Sequence, residues 1–96
     1  MPLPHIRALP KFERQFKKLF PKEQHAVRAE LERVASRPET GELKKGDLSR
    51  VRVHKFKIRH QLFLLAYEWH PASRTLYLYA LGTHENFYTA LKRYFP

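Results

Sequence analysis

The stretch 61–70 restricts the fold most, because Leu, Phe, Tyr and Trp residues follow one another in it almost without interruption. Such a run is typical of a central β-strand whose two faces are both at least partly covered. Other elements must therefore pack on each side of it. Pro71 and Ser73 mark a hairpin turn, and the stretch 75–81 predicts a second strand. That strand is expected to face the core with its apolar even positions, Leu76, Leu78 and Ala80.

A short strand and two helices are predicted on the N-terminal side of these strands. Residues 5–9 alternate polar and apolar side chains up to Pro10. Proline fits the first turn of a helix, and Pro10 and Pro21 each precede apolar residues at helical spacing. The stretch 38–47 contains glycines and no apolar period, so an exposed loop is expected there. The apolar stripes of the two helices are Phe12, Phe16 and Leu19, then Val27, Leu31 and Val34.

These elements predict the α+β fold class. An N-terminal strand and an αα-hairpin pack on a roughly four-stranded antiparallel sheet, and a short C-terminal helix follows the last strand. The helix is indicated by the spacing of Phe87, Leu91 and Tyr94. A chain of 96 residues is too short for two separate cores, so a single domain over residues 1–96 is expected.

The charge of the chain points to a polyanionic partner. It carries 19 Lys and Arg residues against 9 Asp and Glu residues, a formal charge of +10. From Ser49 onward the only acidic residues are Glu68 and Glu85. The C-terminal half is therefore the expected anion-binding half.

The sequence also disfavours several kinds of site and location. It contains no cysteine, which excludes a disulfide scaffold and thiolate chemistry and fits a reducing compartment. No paired-histidine spacing supports zinc, and neither a metal nor another cofactor is expected. The longest apolar run, 62–67, is far too short to span a bilayer, so no membrane association and a cytoplasmic location are expected.

The stretch 50–60 is basic, and its alternation changes midway. Val51 and Val53 are the apolar positions at its start, whereas Phe56 and Ile58 are the apolar positions further on. Since strand side chains alternate with period two, both pairs can face one core only if an extra residue intervenes, and a β-bulge is predicted near His54. The bulge would turn all the basic residues to one side of the sheet: Arg50, Arg52, Lys55, Lys57 and Arg59.

Two interpretations of this basic strand are open. Lysines that alternate with Phe and Ile also occur on the solvent side of edge strands, where they hinder aggregation. An ordinary solvated face usually mixes charges of both signs, whereas the stretch 50–60 contains no acidic residue. A row that binds phosphate is therefore favoured, and His54 and His60 are further candidates for phosphate contact.

His84 is the candidate for proton transfer. It follows Thr83, a suitable helix N-cap after the last strand, and Tyr88 lies about one helical turn further on. An imidazole takes and gives protons near neutrality, and a helix N-terminus favours negative charge. A histidine in a first helical turn is equally often only a solvated or capping residue. The functional interpretation gains from the basic strand in the same half of the chain.

In the order and spacing of these segments, the sequence resembles the RelE/ParE superfamily of toxins from type II toxin-antitoxin systems. The resemblance covers almost the whole chain: the opening strand, the Lys- and Phe-rich helical hairpin, the loop 41–48, the basic strand 51–59 and the ending 81–88. It implies two N-terminal helices on an antiparallel sheet, whose concave face enters the ribosomal A site and cleaves mRNA without a cofactor.

The resemblance also implies roles for individual residues. In RelE-like members, basic residues of the corresponding strand hold the scissile phosphate, and Lys55 and Lys57 stand at matching places. Members similar to YafQ and HigB carry a histidine after the last strand and an aromatic residue four positions later, which His84 and Tyr88 match. Leu64 stands where RelE places an arginine, so histidine acid-base chemistry is expected. Binding of RNA is expected from the other basic candidates: Arg50, Arg52, His54, Arg59 and His60.

Two other functions remain open from the sequence. Members of the ParE branch share the fold but inhibit DNA gyrase without nuclease residues, and a non-toxic nucleic-acid-binding domain would need charge alone. The resemblance implies a cognate antitoxin, and the basic charge suggests that it is an acidic, partly disordered segment that folds across the basic surface. Oligomers are expected only through that antitoxin.

Overall fold

Two helices and five strands form the part of the chain that the computed structural model describes, residues 4–43 and 50–83. The α+β class and the helical hairpin are confirmed, whereas the helix predicted around Leu91 lies outside the described residues. In chain order the elements are β1 (His5–Ala8), α1 (Pro10–Lys17), α2 (Pro21–Ser36), β2 (Glu42–Leu43), β3 (Arg52–Ile58), β4 (Gln61–His70) and β5 (Thr75–Thr83).

The strands form one sheet in the order β1-β5-β4-β3-β2, with β4 at its centre. The predicted antiparallel sheet of roughly four strands needs two corrections. The first strand, β1, runs parallel to β5, which is possible because the whole stretch from α1 to β4 separates them and supplies the long connection that parallel neighbours need. The second correction is β2, which lies inside the predicted loop 38–47. It pairs with β3 only through Glu42–Val53 and Leu43–Arg52, too few residues to leave a periodic signal in the sequence.

Both helices pack on the same face of the sheet, which we call the helix face. Their predicted apolar stripes pack there: Val27 and Val34 are each 1% exposed, whereas Phe16, Leu19 and Leu31 are half-buried against the same core. Gln24 Nε2 donates hydrogen bonds to the carbonyl oxygens of Phe16 and Leu19, which occupies acceptors at the end of α1. No helix in residues 4–43 and 50–83 is long and apolar enough to cross a membrane. The core on this face consists of Phe12, Val27, Val34, Phe56, Phe63, Leu65, Tyr67, Leu76, Leu78 and Leu81.

A second apolar cluster lies on the opposite face of the sheet, which we call the far face. It contains no residue of α1 or α2. Leu64 and Ala66 from β4 are completely buried in it, and Tyr79 packs at its side. Its members are Val51, Val53, Leu64, Ala66 and Ala80. The run of apolar residues in β4 is therefore explained by burial on both faces, as the sequence predicted.

The β-bulge predicted near His54 is wrong, because β3 pairs with β4 without any register shift from Arg52 to Ile58. Sequence reasoning assumed that Val53 and Phe56 share one core. In the structure Val53 belongs to the far-face cluster and Phe56 to the helix-face core. A regular strand satisfies both residues because each face of the sheet buries apolar side chains.

The irregularity lies in β5 instead. Ala66 pairs with Ala80 and Tyr67 pairs with Leu78, so Tyr79 is the extra residue of a bulge. The extra residue exchanges the two faces of the strand beyond it. Ala80 was predicted to share a face with Leu76 and Leu78, and it lies on the far face for this reason.

Tyr67 fastens the segment that follows α2 to the sheet. Its hydroxyl donates a hydrogen bond to the Pro38 carbonyl oxygen at 2.8 Å and accepts one from the Gly41 backbone N–H at 2.9 Å. Burial raises the pKa of the Tyr67 phenol above its ordinary value. This contact holds the start of β2 beside β3.

Candidate functional site

Lys55 and Lys57 project from the far face of β3. Lys55 pairs with Leu64, a member of the far-face cluster, and the alternation of the strand places Lys57 on the same side. Both lysines are exposed, and Lys55 Nζ lies 3.9 Å from Glu42 Oε2. An exposed pair of this kind contributes only about 0–1 kcal/mol, so an incoming phosphate can compete with the carboxylate.

The end of β5 lies level with these lysines. Leu64 pairs with Lys55 on one side and with Gly82 on the other. Neighbouring strands lie about 4.8 Å apart, so the Cα atoms of Lys55 and Gly82 are separated by roughly 10 Å. The next residue, Thr83, ends β5. The predicted proton-transfer residues, His84 and Tyr88, lie outside the described residues.

Arg52 does not share the face of the lysines, so the prediction that five bases point to one side is wrong for this residue. It pairs with Tyr67, which faces the helices. Arg52 Nη1 donates hydrogen bonds to the carbonyl oxygens of Glu39 and Gly41 at 2.9 and 3.0 Å. These contacts stabilise the segment before β2, so the Arg52 guanidinium has a structural role.

His54 also lies on the helix face. Its Nε2 is 3.3 Å from Glu30 Oε2 on α2, and the two side chains are only 23% and 16% exposed. The imidazole stacks on Phe56 with ring centroids 5.6 Å apart. The pair joins α2 to β3, and the predicted contact of His54 with RNA remains a prediction that this position does not favour.

The other basic candidates lie at the two ends of β3. Arg50 is exposed and precedes the strand, whereas Arg59 and His60 form the exposed turn between β3 and β4. Arg59 has a φ of 58°, because the favoured two-residue hairpin turns need a positive φ at a central residue. Arg59 and His60 therefore lie at the end of the sheet nearest Lys57, and Arg50 lies at the other end.

Sequence reasoning assigned no role to a polar cluster on the far face. His70 Nε2 lies 2.6 Å from Glu68 Oε1, and the Tyr79 hydroxyl donates a hydrogen bond to Glu68 Oε2 at 3.0 Å. The His70 ring also meets Tyr77 edge to face, with centroids 4.8 Å apart. The available signal was the spacing of Glu68 and His70, because residues i and i+2 of a strand share one face.

The described ranges contain no group of three or more His, Asp or Glu side chains that could hold a metal ion. The far face thus carries two sets of polar residues within those ranges. One is the lysine pair at the end of β5, and the other is the polar cluster of Glu68, His70, Tyr77 and Tyr79.

Comparison with protein families gives a match over residues 6–92 to the family described as ParE-like toxin of type II bacterial toxin-antitoxin system. Comparison with curated proteins gives no match.

Several solved structures share the fold at low sequence identity. The isolated E. coli RelE toxin is 17% identical, with a TM-score of 0.67 over 95% of this chain and 98% of that chain. A chain of the intact E. coli RelBE toxin-antitoxin complex is 16% identical, with a TM-score of 0.70 over 85% of this chain and 98% of that chain. A chain of the toxin-antitoxin complex RelBE2 from Mycobacterium tuberculosis is 15% identical, with a TM-score of 0.75 over 86% of this chain and 100% of that chain.

Proposed function

The chain belongs to the ParE-like toxin family of type II bacterial toxin-antitoxin systems, and we propose that it is an endoribonuclease that cleaves mRNA on the ribosome and thereby stops translation. The observation that carries this proposal is the position of Lys55 and Lys57 on the far face, level with the end of β5 that leads to His84. The proposed site thus combines positive charge with a histidine in a toxin of this fold.

The chemistry requires few protein groups, because RNA supplies its own nucleophile, the 2′-hydroxyl. The protein has to provide a base for that hydroxyl, positive charge for the pentacoordinate phosphate and an acid for the leaving oxygen. Lys55 and Lys57 supply the charge in this proposal. Arg59 follows them at the turn and lies within the same basic end of the sheet. No cofactor takes part in these steps.

His84 is the proposed proton-transfer residue, and Tyr88 orients it or assists in the transfer. Support comes from the alternation of β5. Beyond the bulge, Ala80 and Gly82 lie on the far face, because they pair with Ala66 and Leu64. Gly82, two positions before His84 in the sequence, therefore lies on the same face as Lys55.

The test is cleavage of a defined mRNA by the purified chain, with and without ribosomes, with the ends mapped by primer extension. The double variant Lys55→Ala/Lys57→Ala should lose about 10²-fold or more in rate, as expected when charge stabilisation of a transition state is removed. The matched control is Lys17→Ala/Lys18→Ala, which removes the same charge from the end of α1. His84→Ala should lose about 10²- to 10⁴-fold.

Equal activity of the parent and the double lysine variant would refute the proposed site. Cleavage by His84→Ala at the parental rate would refute the role of the histidine alone.

Inhibition of DNA gyrase is the second candidate function. The family description favours it by the name ParE-like, and so does Leu64, which is completely buried where a RelE-type arginine would stand. The two candidates differ in the process that stops first. After induction in cells, incorporation of labelled amino acids should stop before incorporation of labelled thymidine if the chain cleaves mRNA. The opposite order would support gyrase inhibition.

A cognate antitoxin is the proposed partner. The solved RelBE and RelBE2 structures are toxin-antitoxin complexes, and the far-face lysines are suited to an acidic segment that folds on binding. Co-expression with the open reading frame next to the gene should give a complex that copurifies and restores growth. The complex should also protect Lys55 and Lys57 from acylation by a lysine reagent, whereas Lys17 should still react. A neighbour that neither binds nor restores growth would refute the pairing.

A further inference from the structure

A notch opens in the sheet where β4 extends beyond β3. The last pair between these strands is Arg52–Tyr67, and β4 continues through Glu68 and Trp69 to His70. No described residue of β3 pairs with this extension. The resulting cleft has a volume of about 370 Å³ and is bounded by Leu43, Arg50, Arg52, Trp69 and His70.

The charge of the notch favours an anion. Arg50 is exposed at its rim, and Arg52 is held in place by two carbonyl oxygens. The acid Glu68 also lines the notch, but its two oxygens already contact His70 and the Tyr79 hydroxyl. The carboxylate is therefore occupied within the protein, whereas Arg50 is accessible to a ligand.

The notch also offers the His70 ring for stacking on the far face. The His70 side chain is 42% exposed, and Glu68 and Tyr77 fix its orientation from two sides. Trp69 lines the notch from the helix face, where it packs half-buried against the core, and the Arg74 guanidinium lies 6.0 Å from its ring centroid. Nucleobases bind to proteins by stacking on such rings and on arginine planes. The volume lies near the lower end of the range for small-molecule sites, which suits one nucleotide better than a duplex or a protein helix.

The His70 side of the notch and the lysine pair lie at opposite ends of the far face. Leu64 pairs with Lys55, and His70 lies six residues further along β4 on the same side. At about 3.3 Å per residue this separation is roughly 20 Å. A single RNA strand that places a phosphate at Lys55 and Lys57 can therefore reach the notch only with a nucleotide several positions away.

We propose that the notch binds one unpaired nucleotide of the RNA substrate, with its base against His70 and a phosphate at Arg50. This inference rests on the proposed function, because it assumes that RNA lies along the far face. The notch gives the chain a contact that is separate from the site of cleavage and that senses the presence of a base.

The experiment measures binding of a fluorescently labelled single-stranded RNA by anisotropy, with His84→Ala as the background so that cleavage does not interfere. The RNA is varied by moving a single abasic nucleotide along it. The His84→Ala protein should bind most variants equally but lose roughly 5- to 150-fold in affinity when the missing base is the one that stacks in the notch.

Adding His70→Ala should remove this dependence on position, and His70→Tyr should restore it because an aromatic ring returns. Adding Arg50→Ala should weaken binding of every RNA variant and reduce the salt dependence by about one phosphate contact. The matched control is Arg14→Ala, which removes an arginine from α1 and should change neither property.

If the protein binds and cleaves RNA but His70→Ala leaves the abasic profile unchanged, the notch proposal fails and the proposed function stands. If the parent neither binds nor cleaves RNA, both the proposed function and the notch proposal are wrong. A loss of affinity for the antitoxin, together with unchanged RNA binding, would identify the notch as a protein contact and would also overturn the proposal.

Discussion

Replacing Tyr67 by Phe tests how the segment after α2 is held on the sheet. The substitution keeps the buried ring and removes only the hydroxyl. That hydroxyl contacts two backbone groups, the Pro38 carbonyl oxygen at 2.8 Å and the Gly41 N–H at 2.9 Å. Tyr67 is 0% exposed, so water cannot replace the lost oxygen without a rearrangement of this segment.

The expected loss follows from the surroundings of these two groups. Gly41 is buried, and a buried N–H without an acceptor costs about 1–3 kcal/mol. Pro38 is half-buried, so its carbonyl regains some contact with water, and the net loss of that hydrogen bond is about 0.5–1.5 kcal/mol. The free energy of unfolding should fall by about 2–4 kcal/mol in total, and the Tm by at least about 8 °C.

Urea unfolding followed by circular dichroism at pH 7 measures this loss. The matched control is Tyr77→Phe, which removes the hydroxyl of a half-buried tyrosine for which the described residues show no hydroxyl hydrogen bond. Its free energy of unfolding should change by less than about 0.5 kcal/mol. A loss for Tyr67→Phe that is no larger than the loss for the control would refute the reasoning.

The same variant predicts a pH dependence. Burial raises the pKa of Tyr67 above the ordinary value of 10.0. In the unfolded chain the phenol ionises near 10.0, whereas the folded chain keeps its proton to higher pH. The stabilisation is therefore fully present below pH 10 and is lost as the pH rises through the folded pKa. The difference in unfolding free energy between parent and Tyr67→Phe should narrow above pH 10, and a constant difference up to pH 11 would contradict this.

Three further substitutions give expected changes in the urea midpoint. Arg59→Gly should raise the free energy of unfolding by about 1 kcal/mol, because glycine adopts the φ of 58° without strain, and a lower midpoint would contradict this. Gln15→Ala should lower the free energy of unfolding by about 1–3 kcal/mol, because Gln15 Oε1 accepts a hydrogen bond from the Leu81 N–H at 2.7 Å beside the bulge. Gly41→Ala should lower the free energy of unfolding by about 1–3 kcal/mol, because the new Cβ would lie 2.9 Å from Tyr67 ring atoms.

The sequence predicts best those elements in which one residue pattern has one structural solution. The bounds of β4 agree with the predicted stretch 61–70, because a continuous apolar run needs cover on both sides and turn residues end it. The helices begin at Pro10 and Pro21 as predicted, since proline is restricted to the first turn of a helix. Such features depend on the local chain and need no knowledge of the neighbours.

The residues of β3 that face the helices could not be predicted from the local sequence in the same way. Alternation shows that Val53 and Lys55 share one side and that His54 and Phe56 share the other. It does not show how many sides are buried. The assumption of one core required a bulge near His54 and placed Arg52 with the lysines, whereas burial on both faces makes the strand regular. The lysines were predicted together correctly because they are two residues apart, a relation that no choice of core can change.

The bulge at Tyr79 decides which residues after it share the face of Lys55. Without the extra residue, Ala80 and Gly82 would lie on the helix face with Leu78.

The sequence around Tyr79 gives no sign of this exchange, because apolar residues continue on both sides of it. In the structure a hydrogen bond holds the extra residue in place. The Tyr79 hydroxyl donates it to Glu68 Oε2, and the other oxygen of the same carboxylate contacts His70. Glu68 therefore joins the bulge in β5 to the notch beside β4.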